Sequence, residues 1–333
     1  MFEAEDTFAL IDALEEGARA PRWESLLERR DLRRMFPAVG IPRAQGIRYL
    51  EAAGNPDGGK GLDEVGRMVV GYLVELLQRR GRIASLLREL EVAGPSLEAA
   101  AFARTRELLP DSCAVGAVRY VFLPIGYDFR TDRETVYMDP LAALEYGRAG
   151  IETTLSHELH HVARYRLTGE NLTLMRPGEE RPARDVPGIF REWASWLEAE
   201  GIADGVSNAT DVEIPALRAA IELRREQMAN YAGLLEGALA RLRRTLSDEM
   251  KDEGPRQSLR QFLLALAHPV GARMAEHVRA DLGRESVIEC VGRPDLFVER
   301  YNRVARRREL VEVDESFLRW TAGPVVAEAR APR

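Results

Sequence analysis

Ser156-His157-Glu158-Leu159-His160-His161-Val162 is the stretch on which the reading of this 333-residue chain turns. His157 and His161 are four residues apart. An α-helix therefore carries both imidazoles on one face, one turn from each other, where they can grip a single ion. Glu158 follows the first histidine and emerges about 100° further around the helix, beside the ion and not on it. This is the HExxH pattern, in which the glutamate serves as general base to a zinc-bound water. The chain has five histidines, and three of them fall at 157, 160 and 161. Leu155, Leu159 and Val162 give the flanks an apolar face and Gly169 gives a terminator, so the spacing predicts a helix over 151–168.

A catalytic zinc site takes three protein ligands and keeps a fourth position open. The glycine and third histidine of the metzincin pattern are replaced here by Arg164 and Leu167, and the inverted HxxEH order is absent. That leaves a carboxylate further along, and Glu198-Ala199-Glu200-Gly201-Ile202-Ala203-Asp204 supplies one. Phe190, Trp193, Ala194 and Leu197 form the apolar stripe of a predicted helix over 188–204. Glu200 lies on that stripe, three residues past Leu197, and Asp204 shares the face one turn on. A carboxylate turned into a core is costly unless it is paired or metal-bound. Glu200 is accordingly the expected third ligand, with Glu192 as the next alternative and Glu198 pointing elsewhere. The competing reading pairs Glu200 with an arginine. Asp204 is expected to accept the free N–H of His157 or His161 and fix its tautomer. His160 reads as a supporting or cleft-wall residue.

HELHH followed by EGIAD resembles the gluzincin branch of zinc metallopeptidases, in which a helix bearing ExxxD supplies the third ligand and a supporting aspartate. More narrowly, the chain is similar to a group of bacterial zinc-dependent peptidases of unassigned function. The shared features are an HExHH-type helix, a W…EGxAD helix, and a late segment like His268-Pro269-Val270-Gly271-Ala272-Arg273-Met274-Ala275. The likeness runs over residues 115–305 and leaves the first 110 uncovered. It implies a zincin-like core, with a small β-sheet packed on the HExxH helix and a helical second lobe closing the cleft. It also implies Zn2+ as cofactor, a peptide or protein substrate, and zinc-dependent hydrolysis with Glu158 as general base. In such enzymes a histidine or tyrosine of the second lobe meets the oxyanion. His268 is the first candidate for that role, and His277, Tyr231 and Tyr301 are the others. The strand within Arg133-Glu134-Thr135-Val136-Tyr137-Met138 is a candidate edge for strand augmentation by substrate, the alternative being an internal strand without substrate contact.

The rest of the chain sets the frame. Hydrophobic residues make up 45% and charged residues 30%, which supports a packed core. The net charge of −7 argues against nucleic acid as a partner, because phosphate neutralisation needs a basic surface. Two cysteines, Cys113 and Cys290, are too few for a disulfide scaffold. The start lacks the basic and apolar regions of a signal peptide, and no apolar run nears the ~20 residues that span a bilayer. The expectation is a cytoplasmic protein without a membrane partner.

Residues 1–110 read as helical, with breaks at Pro21, Pro37 to Pro42, 54–61 and Gly94-Pro95, and with Ser96 capping a helix that runs to Leu109. Val118–Leu123 and Val136–Met138 read as the strands of a hairpin, 169–187 as a loop, and 215–247 as one long helix. Gly54-Asn55-Pro56-Asp57-Gly58-Gly59-Lys60-Gly61 comes close to a Walker A loop. Gly61 stands where the Mg2+-binding hydroxyl belongs and a helical segment precedes, so it reads as a surface loop. The expected organisation is α+β and mostly helical: a helical region over 1–110, a catalytic core over 111–210 and a helical lobe over 211–333. Two other functions fit the same residues. One is a zinc hydrolase of a non-peptide amide, and the other is a helical regulatory or interaction protein with a non-catalytic zinc site.

Overall fold

The computed structural model describes residues 2–17, 20–55, 60–113, 115–170, 185–207, 218–247 and 253–321. Most of the loop read over 169–187, the centre of the Gly54–Gly61 stretch and the last residues of the chain lie outside them. The architecture is α+β and mostly helical, with a four-stranded mixed sheet.

The first helices are α1 (Glu5–Glu15), α2 (Ala20–Leu26), α3 (Met35–Ala38), α4 (Arg43–Ala53), α5 (Glu64–Gln78) and α6 (Arg80–Arg106). Helix α6 runs through Gly94-Pro95, where the sequence pointed to a break. Its buried stripe of Ile83, Leu86, Leu87, Leu90, Leu97 and Ala101 continues on both sides of the proline. Packing along that stripe outweighs the hydrogen bond that proline removes. Ser96 is therefore not a cap, and its hydroxyl donates to the Ala93 carbonyl at 2.8 Å.

The sheet consists of β1 (Phe2–Glu3), β2 (Arg119–Phe122), β3 (Phe129–Thr131) and β4 (Thr135–Met138), in the order β1-β2-β4-β3. The two strands read from sequence as a hairpin, β2 and β4, are parallel, with Tyr120 beside Val136 and Phe122 beside Met138. The hairpin is β3–β4. Its turn is fixed by Asp132, whose Oδ1 accepts from the Glu134 and Thr135 amides at 2.9 Å. The polar segment between the two predicted strands thus contributes a strand of its own. Strand β4 is buried throughout and lies between β2 and β3, so the segment 133–138 is internal. The antiparallel edge is β3.

Helix α7 (Pro140–Thr168) packs against β3, β4 and the length of α6. It starts earlier than the pattern suggested and contains a break at Gly147 (φ 59°, ψ −174°). Asp139-Pro140, legible as the end of a strand, is also an N-cap with proline in the first turn. One Asp139 oxygen accepts from Leu141 and Ala142 at 2.9 and 3.0 Å. The other accepts from Ile125 and Gly126 at 2.9 and 3.0 Å and from the Tyr72 hydroxyl. A single carboxylate thus starts the helix and pins the loop before β3. Gly169 (φ 75°) ends α7 in the left-handed conformation, as its position predicted.

Helix α8 (Val186–Val206) is capped by Asp185 and buried on nearly every side. The remaining helices are α9 (Arg218–Ala229), α10 (Tyr231–Ser247), α11 (Glu253–Ala265), α12 (Ala267–Leu282), α13 (Arg284–Ile288), α14 (Pro294–Arg308) and α15 (Glu315–Thr321). Of the long helix expected over 215–247, residues 215–217 lie outside the described ones and the rest is divided at Asn230 into α9 and α10. Helix α12 lies along α8 more extensively than any other pair of elements meets. The closeness depends on two glycines. A Cβ on Gly271 would come within 2.4 Å of the Leu197 carbonyl oxygen, and one on Gly201 within 2.4 Å of the Gly271 carbonyl.

Candidate metal centre and active site

Helices α7 and α8 bring the sequence-predicted ligands together. His157 Nε2 and His161 Nε2 are 2.9 Å apart, and Glu200 Oε2 lies 3.1 Å from the first and 3.2 Å from the second. Donors held at about 2.0–2.1 Å by a tetrahedral ion are separated by about 3.3 Å, so the spacing suits zinc. The donor chemistry fits as well. Asp204 Oδ1 is 3.3 Å from His157 Nδ1. With Asp204 accepting the Nδ1 proton, Nε2 points at His161 and Glu200 and can either carry a proton or ligate an ion. Donor atoms converging in this way call for a cation, whether a proton on His157 or a metal ion.

Four acidic side chains of α8 are buried, and their partners sort them. Glu192 is held by Arg260, with two contacts of 2.7 Å. Glu198 accepts from the buried Arg164 at 2.8 and 2.6 Å and from the Gly292 amide at 2.9 Å. Glu200 instead faces three imidazoles, at 3.1, 3.2 and 3.3 Å. The arginine reading proposed against Glu200 thus applies to Glu192 and Glu198.

His268, at the start of α12, reaches the same place. Its Nε2 is 3.3 Å from Glu200 Oε2 and its Nδ1 is 3.2 Å from Asp204 Oδ2. Its ring stacks on His157 with centroids 5.8 Å apart. Two overlapping sets of donor atoms among the described residues lie close enough to hold one ion, His157, His161 and Glu200 in the first and His157, Asp204 and His268 in the second. His268 is the most open member of the site, with its side chain 42% exposed.

The electrostatics follow from burial and pairing. Burial disfavours a charge on Glu200, but His268 and His161 outweigh it and hold the carboxyl well below its usual range. Burial likewise opposes a charge on Asp204, and His268, Arg224 and His157 reverse it. Desolvation works against protonating His157, yet Asp204 and Glu200 raise it well above the usual imidazole value. Glu158 differs. It is buried, its Oε2 has no hydrogen-bond partner among the described residues, and burial pushes its carboxyl up to about 8. A carboxylate with that affinity for a proton is suited to general-base work near neutrality.

His160 turns away from this cluster. Its Nε2 donates to the Leu108 carbonyl at 3.3 Å, and its Nδ1 has no partner among the described residues. Burial pushes its pKa down to about 3. His277 and Tyr231 meet ring to ring at a tilt of 44°, and the Tyr301 hydroxyl donates to the Val311 carbonyl at 2.8 Å. None of these three joins the metal group. Sequence reasoning missed Arg224 of α9, whose guanidinium donates to Asp204 Oδ2 and lies 3.3 Å from His268 Nδ1. In a chain with so many arginines nothing local marks it.

A half-buried and a buried histidine, a buried glutamate and an unpaired acid on adjoining helices form a site whose donor set fits a metal ion. The family comparison agrees. A family model described as "putative zinc dependent peptidase (DUF5700)" matches residues 23–309, and the chain belongs to that family. Zinc is the metal on which the family is described as depending. No curated protein and no solved structure matches the chain. No helix among the described residues is long and apolar enough to cross a membrane.

Proposed function

We propose that the chain hydrolyses peptide bonds at a zincin-like centre of the gluzincin kind, held by His157, His161 and Glu200. The observation that carries this reading is the convergence of those three donor atoms within 3.2 Å beside a buried carboxyl raised to about 8. When bound, zinc supplies a Lewis acid that lowers the pKa of water toward about 7 and polarises a carbonyl.

The protein supplies the rest. Glu158 takes the proton of the attacking water and delivers it to the leaving amine. His268 donates from Nε2 to the oxygen that becomes the oxyanion. Asp204 keeps the Nδ1–H tautomer of His157, so that Nε2 stays free to ligate. The substrate backbone pairs with β3, the antiparallel edge of the sheet beside α7.

Metal analysis of the purified chain and of two variants tests the proposal. One zinc per chain is expected in the wild type and in Glu158→Gln, and none in His157→Ala. Hydrolysis of a peptide mixture should vanish in Glu158→Gln while its zinc remains. A wild-type chain that holds zinc and cuts no peptide, under conditions where a known metallopeptidase does, refutes peptide hydrolysis.

A further inference from the structure

Behind the Asp204–Arg224 contact lies a cavity of about 210 Å³ between α8, α9 and α12. One wall continues the His268 face of α12. Ala272, Ala275 and Arg279 follow His268 at intervals of four, three and four residues, and all three line the cavity. The opposite wall is α9, from which Arg224 and Met228 enter one turn apart. The cavity therefore begins one turn beyond His268 and runs away from the metal group along a groove between two helices.

Its charges are unevenly engaged. Both carboxylates that line it are occupied, Asp204 by His157, His268 and Arg224, and Glu276 by Arg273. The arginines are not. Arg279 has no acidic or hydrogen-bonding partner for its side chain among the described residues. Among the described residues Arg224 uses only one terminal nitrogen, and its Nε, sealed from solvent, meets no acceptor. The groove thus offers guanidinium N–H groups without a free carboxylate to meet them, over a lining of alanine and methionine carbons. An unsatisfied buried donor is unfavourable, and a planar guanidinium matches a carboxylate best.

We infer that this cavity is a substrate subsite for a carboxylate, either an Asp or Glu side chain or the free C-terminus of a peptide, received by Arg279 and Arg224. The inference rests on the peptide-hydrolase reading and names the substrate class of that site.

The test uses the zinc-loaded full chain. Matched C-terminally amidated peptides carry Glu or Gln at each of four positions on either side of the cut, and a third arm is a neutral peptide with a free C-terminus. Separately, N-acetylglutamate amide and N-acetylglutamine amide are titrated calorimetrically, which needs no turnover. A preference of about tenfold or more for the carboxylate is expected, chiefly through KM, as for one charge-assisted hydrogen bond. Preference in the Glu arm alone identifies a side chain as the source, and preference in the free-acid arm alone identifies the C-terminus. The ratio should fall toward one in Arg279→Met and invert in Arg279→Glu. If peptides are cut without preference and the two probes bind alike, the subsite is refuted while hydrolysis stands. If no peptide is cut, hydrolysis fails, and the titration decides. Tighter binding of the glutamate probe that disappears in Arg279→Met supports the subsite, and equal binding overturns it.

Discussion

Gly271→Ala isolates what the α8–α12 crossing contributes. The new Cβ would sit 2.4 Å from the Leu197 carbonyl oxygen, and ordinary contact begins at 3.4 Å, so 1.0 Å (3.4 − 2.4) must be found. The obstructing atom belongs to a helix backbone, and no rotamer moves it. The two helices must part by about 1 Å, at an overpacking cost of about 1–3 kcal/mol. The better helix propensity of alanine offsets about 1 kcal/mol of that. Stability therefore falls only modestly, by about 0–2 kcal/mol in urea denaturation. The chemical effect is larger. His268 is three residues before Gly271 and rides on α12, whereas the proposed ligands His157, His161 and Glu200 belong to α7 and α8. Separation carries the 3.3 Å contact between His268 and Glu200 beyond hydrogen-bond reach while the clasp stays intact. A displacement of about 1 Å costs on the order of a hundredfold in turnover. Peptide-cleavage kinetics beside chelator-competition measurements of zinc affinity check the separation of effects. Wild-type kcat together with wild-type stability would refute the steric reasoning, and loss of zinc in step with activity would refute the assignment of α12 to chemistry alone.

Other outcomes follow from single contacts. Asp204→Asn should weaken zinc binding about 10- to 100-fold by loosening His157, as chelator competition would measure. Glu198→Gln leaves the 2%-exposed Arg164 with only the longer contact to the exposed Glu170 and should cost about 3 kcal/mol in urea denaturation, with none of His157, His161 and Glu200 altered. His160 titrates near 6.5 when unfolded and at about 3 when folded. Below pH 6.5 the unfolded chain therefore binds the extra proton, and stability present above that pH is lost as pH falls. Between pH 6 and 4 the metal-free wild type should lose about 1.4 kcal/mol per pH unit more than His160→Leu. Parallel stability curves for the two proteins would refute the buried neutral imidazole.

The meeting of His157, His161 and Glu200 was legible in the sequence because residue type and helical period coincide there. The spacing of His157 and His161 needs only a helix, and Glu200 betrays itself by lying on the stripe of Trp193 and Leu197. Asp204 and the His268 segment could be read for the same reason. What stayed hidden depends on partners distant along the chain. Strand β1 exists only because Phe2 and Glu3 find β2, and the order β2-β4-β3 is set by packing on α7. Helix α6 survives Gly94-Pro95 through contacts on both sides of the break. Arg224 acquires meaning only where α9 meets Asp204, and Gly201 and Gly271 explain each other only once α8 and α12 cross. Of the two readings open for 133–138 the internal strand holds, and the edge strand β3 went unread because three residues leave little pattern in a polar loop.

The facing donor atoms of His157, His161 and Glu200 have a consequence for the lifetime of the folded chain. An ion seated between α7 and α8 would join the two helices through three side chains, so occupancy and folding stability would be thermodynamically linked. At a thousand times the dissociation constant, such linkage adds about 4 kcal/mol to the folded state. Starvation for zinc would then shorten the protein's survival against heat and proteolysis as well as silence its chemistry, and cellular abundance would track metal supply.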